Sequence, residues 1–356
     1  MQFHLVNFPM SRKRLPPRTP DRILEIATGF QLSKILFAAV ELDIFSILGT
    51  RGLTVGKIAS ACKLPVRSLQ RLLNGAVFLG LIRHTKGTYR NSSLSTKYLV
   101  RGKPEYMGDL VRAYNLMLYG RWERLEEIIR KDTYDPIMRP QGDTRASAPI
   151  DPEIARQAMM AQHNYSVKPA EELARNFNFS EHRKLLDLGG GSGIFSIMAA
   201  KRNRKLHAVV FDIPPVCSIA EEIIAKYGLS GRVKTCPGNI LEDSFPSGAD
   251  VIVISGVLDG YNEENCRKLI RKAYEYLPAG GAIILKEAIL HDDRMGPMFP
   301  VVFSLSLLIE TEWGDARSRG EMTQWLREAG FRKITYKPLT ALSGTFRNMG
   351  MLTAVK

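Results

Sequence analysis

The chain has 356 residues, 45% of them apolar and 24% charged, which is enough to bury a sizeable core and too long for one ordinary domain, so two domains are expected. That composition excludes a mainly disordered chain. Four scattered cysteines (Cys62, Cys217, Cys236, Cys266), without metal or redox spacing, exclude a disulfide-stapled miniprotein and point to a reducing, cytoplasmic setting. The net charge of +14 invites a nucleic-acid reading, but it is uneven: residues 1–103 carry 17 Lys and Arg against 4 Asp and Glu, and residues 104–356 carry 33 against 32.

Residues 1–20 read as a basic, disordered tail, with Arg12, Lys13, Arg14 and Arg18 set among Pro16, Pro17 and Pro20. No basic segment precedes an apolar run in residues 1–11, so no secretory leader is expected. From Asp21 onward, Ile23, Ile26, Leu32, Ile35, Leu36, Val40, Ile44 and Leu48 recur at helical spacing, which predicts one or two helices. Glu41 and Asp43 break the longest apolar stretch, so no membrane span is expected. A helix from Thr54, a turn at 63–65, a helix over 66–79 and a strand pair at 82–84 and 88–91 follow. In that order they form a winged helix-turn-helix, giving a domain over 21–103. Such a domain either binds DNA, through Arg67, Gln70 and Arg71 with Arg83, Lys86 and Arg90 on the wing, or serves as a dimerisation platform whose basic residues are its wet face.

Residues 104–180 read as a mainly helical connector rich in Met and aromatics, suited either to a core or to an adaptable small-molecule cavity. From 183 the pattern becomes strand–helix alternation. Candidate strands lie at 184–188, 207–212, 233–236, 250–255, 282–287, 333–337 and 351–355, with helices near 194–202, 215–227, 263–277 and 320–329. That rhythm predicts an α/β fold, a Rossmann-like doubly wound parallel sheet over 181–356, which binds ligands at the carboxyl ends of its strands.

The first of those strands runs into Asp187-Leu-Gly-Gly-Gly-Ser-Gly193. Glycines at 189, 191 and 193 let the backbone turn tightly and approach a ligand, and the following helix offers free N–H groups. A dinucleotide fingerprint starting at Gly189 would need Gly or Ala at 194, where the chain has Ile194. Asp212 ends the second strand, where a carboxylate can accept both ribose hydroxyls of a nucleoside; otherwise it caps the helix at Pro214. Gly238, Asn239 and Ile240 follow the third strand and can present an amide and an apolar wall to adenine, or a turn. Three such features on consecutive strand ends favour a nucleoside.

These residues resemble the S-adenosylmethionine-dependent methyltransferases, specifically the small-molecule O-methyltransferases of the caffeate and acetylserotonin type, from about residue 21 to the end. The resemblance implies a homodimer formed through the winged-helix domain, with no DNA bound there. It implies S-adenosylmethionine as cofactor, leaving as S-adenosylhomocysteine, and no metal. The cofactor set it implies is Asp187, Gly189, Gly191, Gly193, Asp212, Ile213, Asn239, Ile240, Ser255 and Asn164. Asn239 replaces the family's usual aspartate. Met117, Trp122, Met160, His163, Phe303 and Leu307 are the pocket candidates, and they describe an apolar, flat-walled cavity.

One segment departs from the family. Its members carry a His-Asp pair after the fourth strand, the histidine deprotonating the acceptor hydroxyl. Here residues 258–266 read Leu-Asp-Gly-Tyr-Asn-Glu-Glu-Asn-Cys, so Asp259 stands at the histidine and Gly260 at its aspartate. Glu287 keeps one of two supporting glutamates, and the other position is Ala316 beside Arg317. Asp259, Glu287 and His163 are therefore the catalytic candidates. A carboxyl group of pKa about 4 is a far weaker base toward a phenol than an imidazole of about 6.5. Burial beside Glu287 would strengthen Asp259; otherwise it is an ordinary polar residue in a site that works by proximity. The expected reaction is methyl transfer to a small aromatic or polyketide-like acceptor, at oxygen, or at carbon or nitrogen now that the His-Asp pair is gone. A cyclisation or hydroxylation that keeps the cofactor for another purpose, and a winged-helix DNA-binding regulator, stand as alternatives.

Overall fold

The computed structural model describes residues 20–103, 105–135, 152–341 and 349–356, in two compact units that divide between Arg112 and Ala113. The basic tail lies, Pro20 apart, outside the described residues.

In the first unit α1 (Asp21–Glu41) and α2 (Ile44–Leu48) are separated at Asp43, whose φ of 53° interrupts the helix. α3 (Val55–Cys62) and α4 (Val66–Phe78) flank Lys63, also at positive φ, and Pro65, which sets an extended backbone just before α4. β1 (Ile82–Thr85) and β2 (Thr88–Asn91) make an antiparallel hairpin closed by Lys86 and Gly87, both at positive φ as a two-residue turn of matching twist requires. α5 (Ser93–Tyr98) starts at Ser92, whose hydroxyl accepts from the Ser95 N–H. Ile44, Phe45, Leu48, Ile58, Leu69 and Leu73 form the core of this helix–turn–helix and wing.

α1 has two characters. Phe37, Ala39 and Val40 are buried in that core, whereas Ile23, Leu24, Ile26 and Phe30 are between 53% and 70% exposed. By length and composition α1 could cross a bilayer, so the expectation that no stretch is long and apolar enough does not hold. Glu41 and Asp43 fall at and beyond the end of the helix, and therefore do not interrupt its apolar run.

α6 (Gly108–Ala113), a wider π-helical turn over Tyr114–Tyr119, α7 (Gly120–Trp122), α8 (Leu125–Lys131) and α9 (Pro152–Asn176) lead to the central sheet. Its strands are β3 (Lys184–Leu188), β4 (His207–Asp212), β5 (Val233–Pro237), β6 (Val251–Ser255), β7 (Ala282–Leu290), β9 (Arg332–Leu339) and β10 (Met349–Val355), in the order β5-β4-β3-β6-β7-β10-β9, with β8 (Arg317–Ser318) beside the end of β7. α10 (Ile194–Arg202) and α11 (Pro214–Lys226) join α9 in the apolar layer on one face, and α12 (Glu263–Tyr276) and α14 (Arg319–Ala329) supply the layer on the other. β7 is buried along its whole length: Ala282, Ile284 and Ala288 enter the first layer, and Ile283, Leu285 and Ile289 the second.

The sheet is not wholly parallel, as the strand–helix rhythm had predicted: β10 runs antiparallel to both its neighbours. Residues 340–348 are too few for the crossover of about a dozen residues that a parallel pair needs. α13 (Met298–Glu310) was also missing from the expected elements, because its run of apolar residues shows no polar face and hence no helical period.

Candidate active site

β3 delivers Asp187, fully buried, to the carboxyl edge of the sheet, where its Oδ2 accepts from the N–H and hydroxyl of Ser196 at 3.3 and 2.8 Å. Its Oδ1 has no partner among the described residues. Burial pushes this carboxyl up to about 6, with Ser196 opposing and the Asp212 charge adding a little. Gly189 and Gly191 in the following loop have φ of 64° and 55°. A Cβ on Gly189 would lie 2.7 Å from Val257, and one on Gly190 2.7 Å from the Asp187 carboxyl, whereas one on Gly191 would meet nothing within 4 Å. The loop is pressed onto protein at its start and opens onto free space at Gly191. Gly193, also left-handed at φ 72°, precedes the first turn of α10.

Asp212 fastens that loop from the end of β4. Its Oδ2 accepts from the Gly191 N–H at 2.9 Å and its Oδ1 from the Ile213 N–H at 2.8 Å. A carboxylate offers about four lone-pair sites, so each oxygen keeps one for a ribose hydroxyl. Burial raises the pKa of Asp212, and the two N–H groups restrain the rise. Beyond β5, Asn239 is a turn residue: its Oδ1 accepts from the Leu241 N–H at 2.9 Å, which leaves Nδ2 as the donor end toward a ligand. Ile240, 7% exposed, packs in one layer with Phe211.

His163 is 6% exposed, with Nδ1 2.9 Å from the Ser192 hydroxyl and Nε2 3.5 Å from that of Tyr227. Burial and the nearby Lys226 lower its pKa. With both ring nitrogens engaged, His163 ties α9 to the glycine loop, and the half-buried Asn164 follows it on the same helix. Ser192 was not singled out in the sequence, and its place inside the glycine loop was the available signal.

The β6–β7 end of the edge is built differently. Asp259, half-buried in the turn Leu258–Gly260, is hydrogen-bonded to the carboxyl of Glu287. Glu287, 1% exposed, accepts from the Val257 and Leu258 N–H groups through Oε1, both at 3.2 Å, while its buried Oε2 has no donor among the described residues. Two carboxyl groups in contact resist joint ionisation, so one proton is shared between them. Burial raises both; the charge of Asp259 raises Glu287 further, while Lys286 restrains the rise of both and Arg317 that of Asp259. Glu287, raised well above the ordinary carboxyl range, holds the shared proton more readily than Asp259 does. Arg317, 7% exposed, donates to the Tyr261 carbonyl. Lys286, 4% exposed, completes the cluster and escaped the sequence reading. A lysine beside Glu287 inside the apolar run Ala-Ile-Ile-Leu-Lys-Glu-Ala-Ile-Leu was the signal.

Of the pocket candidates, Met160 and Phe303 pack against one and the same core layer, and Phe303 stacks on Phe299 with ring centres 5.6 Å apart. α7, which ends in Trp122, packs on α13, which carries Phe303 and the buried Leu307. Met117 sits in the π-helical turn, its carbonyl accepting from Arg121 at 2.5 Å. Glu310 at the end of α13 is raised to about 7 by burial, with Arg121 opposing. Its charge adds to the burial that raises Tyr114, a polar spot the sequence reading did not foresee. Among the described residues no cluster of three or more His, Cys, Asp or Glu could hold a metal.

Known proteins resemble this chain in sequence and fold. The sequence profile of the O-methyltransferase domain matches residues 122–332, and that of the O-methyltransferase dimerisation domain residues 24–101. The 3-hydroxy-5-methyl-1-naphthoate 3-O-methyltransferase of Streptomyces sahachiroi is 31% identical over 88% of this chain and 90% of its own. The N,N-dimethyltransferase OxyT of Streptomyces rimosus is 30% identical over 94% and 96%. The crystal structure of human N-acetylserotonin methyltransferase in complex with S-adenosylmethionine matches with a TM-score of 0.83 at 25% identity, covering 98% of this chain and 99% of that one. The chain belongs to the O-methyltransferase family and is an S-adenosylmethionine-dependent methyltransferase.

Proposed function

We propose that the protein transfers a methyl group from S-adenosylmethionine to a small, flat, polyketide-like aromatic acceptor, at oxygen, and works as a homodimer. The observation that carries the cofactor part is Asp212, which holds Gly191 and Ile213 and still keeps a lone pair on each oxygen. The buried, unpartnered Oδ1 of Asp187 suits the ammonium of the methionine moiety, and the open space at Gly191 admits its backbone. Asp212 would take the ribose, Asn239 Nδ2 and Ile240 the adenine, with Gly189, Gly193, Ile213, Ser255 and Asn164 around them. Bound there, the cofactor supplies an electrophilic methyl on a sulfonium. The residues of the chain then have to align an acceptor and exclude water.

The acceptor class rests on Met160 and Phe303, which pack on one core layer, and on the hydroxynaphthoate named for the Streptomyces sahachiroi relative. Nitrogen is the second reading of the acceptor atom, favoured by the N,N-dimethyltransferase relative and by the loss of the family's imidazole base. The dimer rests on the apolar, exposed half of α1, which lies within the segment matching the dimerisation domain. Covering each such side chain contributes about 1.5–3 kcal/mol. Replacing Ile26 by Asp should therefore shift the protein to monomer in sedimentation velocity, and a dimer that survives unchanged removes this part.

Calorimetry with S-adenosylmethionine, followed by mass spectrometry on hydroxylated naphthoates, tests the whole reading. Expected are saturable binding and a product heavier by one CH2, formed together with S-adenosylhomocysteine. A converted acceptor without that mass gain would instead favour the cyclisation or hydroxylation alternative.

A further inference from the structure

We propose that Lys286, and not a carboxylate, is the base that takes the proton of the acceptor hydroxyl, an inference that rests on the methyl-transfer reading above. The alternation of β7 sends Glu287 to the α12 and α14 side and Lys286 to the opposite face, with Ala282, Ile284 and Ala288, where Met160 and Phe303 pack. Lys286 is in register with Ser255 on β6 and with Met351 on β10, so its side chain leaves the sheet at the carboxyl edge between the expected cofactor and acceptor sites. Its Nζ lies 5.7 Å from the centre of the Phe195 ring, in the first turn after the glycine loop.

That ammonium is 4% exposed as a residue and makes no hydrogen bond or ion pair among the described residues. Burial without a direct hydrogen-bond partner disfavours the charged form and makes the neutral amine easier to reach. Asp259 has the opposite problem. Burial raises its pKa, but it is already engaged by the carboxyl of Glu287 and faces the Arg317 guanidinium, both of which favour its ionised form. The charged groups that act on Lys286 are Glu287 on its own strand and Asp259 on the turn after β6, and the Phe195 ring of α10 lies beside it. Burial lowers the lysine, and the two carboxyl groups restrain the fall.

The step balances without any further reagent. The acceptor O–H bond breaks as an N–H bond forms on Nζ, the freed oxygen pair forms the new C–O bond, and the S–C electrons remain on sulfur as a neutral thioether. The proton on Nζ later passes to water.

Two variants and a chromophoric acceptor test this. Lys286→Met keeps the length and replaces a buried amine by an apolar group, so folding should be retained, with S-adenosylhomocysteine affinity unchanged in calorimetry. Lys286→Arg keeps the charge, but a guanidinium cannot act as a base. With 4-nitro-1-naphthol as probe and S-adenosylhomocysteine bound, the wild-type protein should ionise the probe at a lower pH than water does, and Lys286→Met should abolish that shift. The spectrum reads the proton without any methyl transfer, so its failure is separate from failure of the methyl-transfer reading. With S-adenosylmethionine and a hydroxynaphthoate, both variants should lose about a hundredfold or more in kcat, recovering as pH rises toward the acceptor's own ionisation. An unchanged spectrum in Lys286→Met, or a wild-type rate in Lys286→Arg, overturns the proposal.

Discussion

At the β3–β4 end of the carboxyl edge, backbone N–H groups hold the acidic side chains, while at the β6–β7 end the charged side chains hold one another. Asp212 is pinned by Gly191 and Ile213, and Asp187 by Ser196, so each carboxylate has a fixed direction and a remaining lone pair. Asp259, Glu287 and Lys286 instead influence one another's protonation, so a change in one redistributes charge over the others. The first kind of construction suits a ligand that never varies. The second suits chemistry that substitution can retune, and the family resemblance implies such replacements at Asp259, Gly260 and Ala316.

The contrast can be broken most forcefully at Asp212. Asp212→Ala removes the acceptor of two backbone donors and of the ribose, at about 1.5–3 kcal/mol per charge-assisted bond. Cofactor affinity in calorimetry should fall by two to three orders of magnitude, and near-wild-type binding would mean that the β3–β4 end is not the nucleoside site. Asp259→Asn should act at the other end alone, lowering kcat by about tenfold with cofactor affinity intact, through loss of the negative charge beside Lys286. If affinity falls with it, the two ends are not separate.

The pH dependence of binding sharpens the same distinction. The Asp187 carboxyl is raised from an ordinary 3.8 to about 6, so below that pH it is protonated and cannot accept from an ammonium. Cofactor affinity should weaken by up to about tenfold per pH unit on acidification, and Asp187→Asn should flatten the profile. In the free protein the sign is the reverse: a raised carboxyl contributes stability that is fully present below 3.8 and is lost as pH rises through about 6. The smallest effect is expected from Glu287→Gln. A glutamine amide still donates to Asp259 and accepts from Val257 and Leu258, so kcat should change only a few-fold. A large loss would place the ionised form of Glu287 in the reaction.

The cofactor end was legible in the sequence because its chemistry is local. Glycines at fixed offsets after a strand, and single polar residues on consecutive strand ends, follow from backbone geometry that spacing reports directly. The β6–β7 end was legible only as an absence, the missing His-Asp pair. Lys286, Arg317 and Asp259 come from three separate segments, and no spacing along the chain reports their meeting. His163 illustrates the same limit, since its position in the chain suggested a substrate contact and its partners are Ser192 and Tyr227. In the fold, the core strands and the winged helix follow from periodicity, whereas α13 lacks a polar face and the reversal of β10 depends on the length of one connection.

The most direct test is a single reaction: purified protein, S-adenosylmethionine and 3-hydroxy-5-methyl-1-naphthoate or a close hydroxynaphthoate, followed by mass spectrometry of acceptor and cofactor together. The account predicts an acceptor heavier by one CH2 and an equal amount of S-adenosylhomocysteine. S-adenosylmethionine bound but left intact, with the hydroxyaromatic acceptors unchanged, would contradict it.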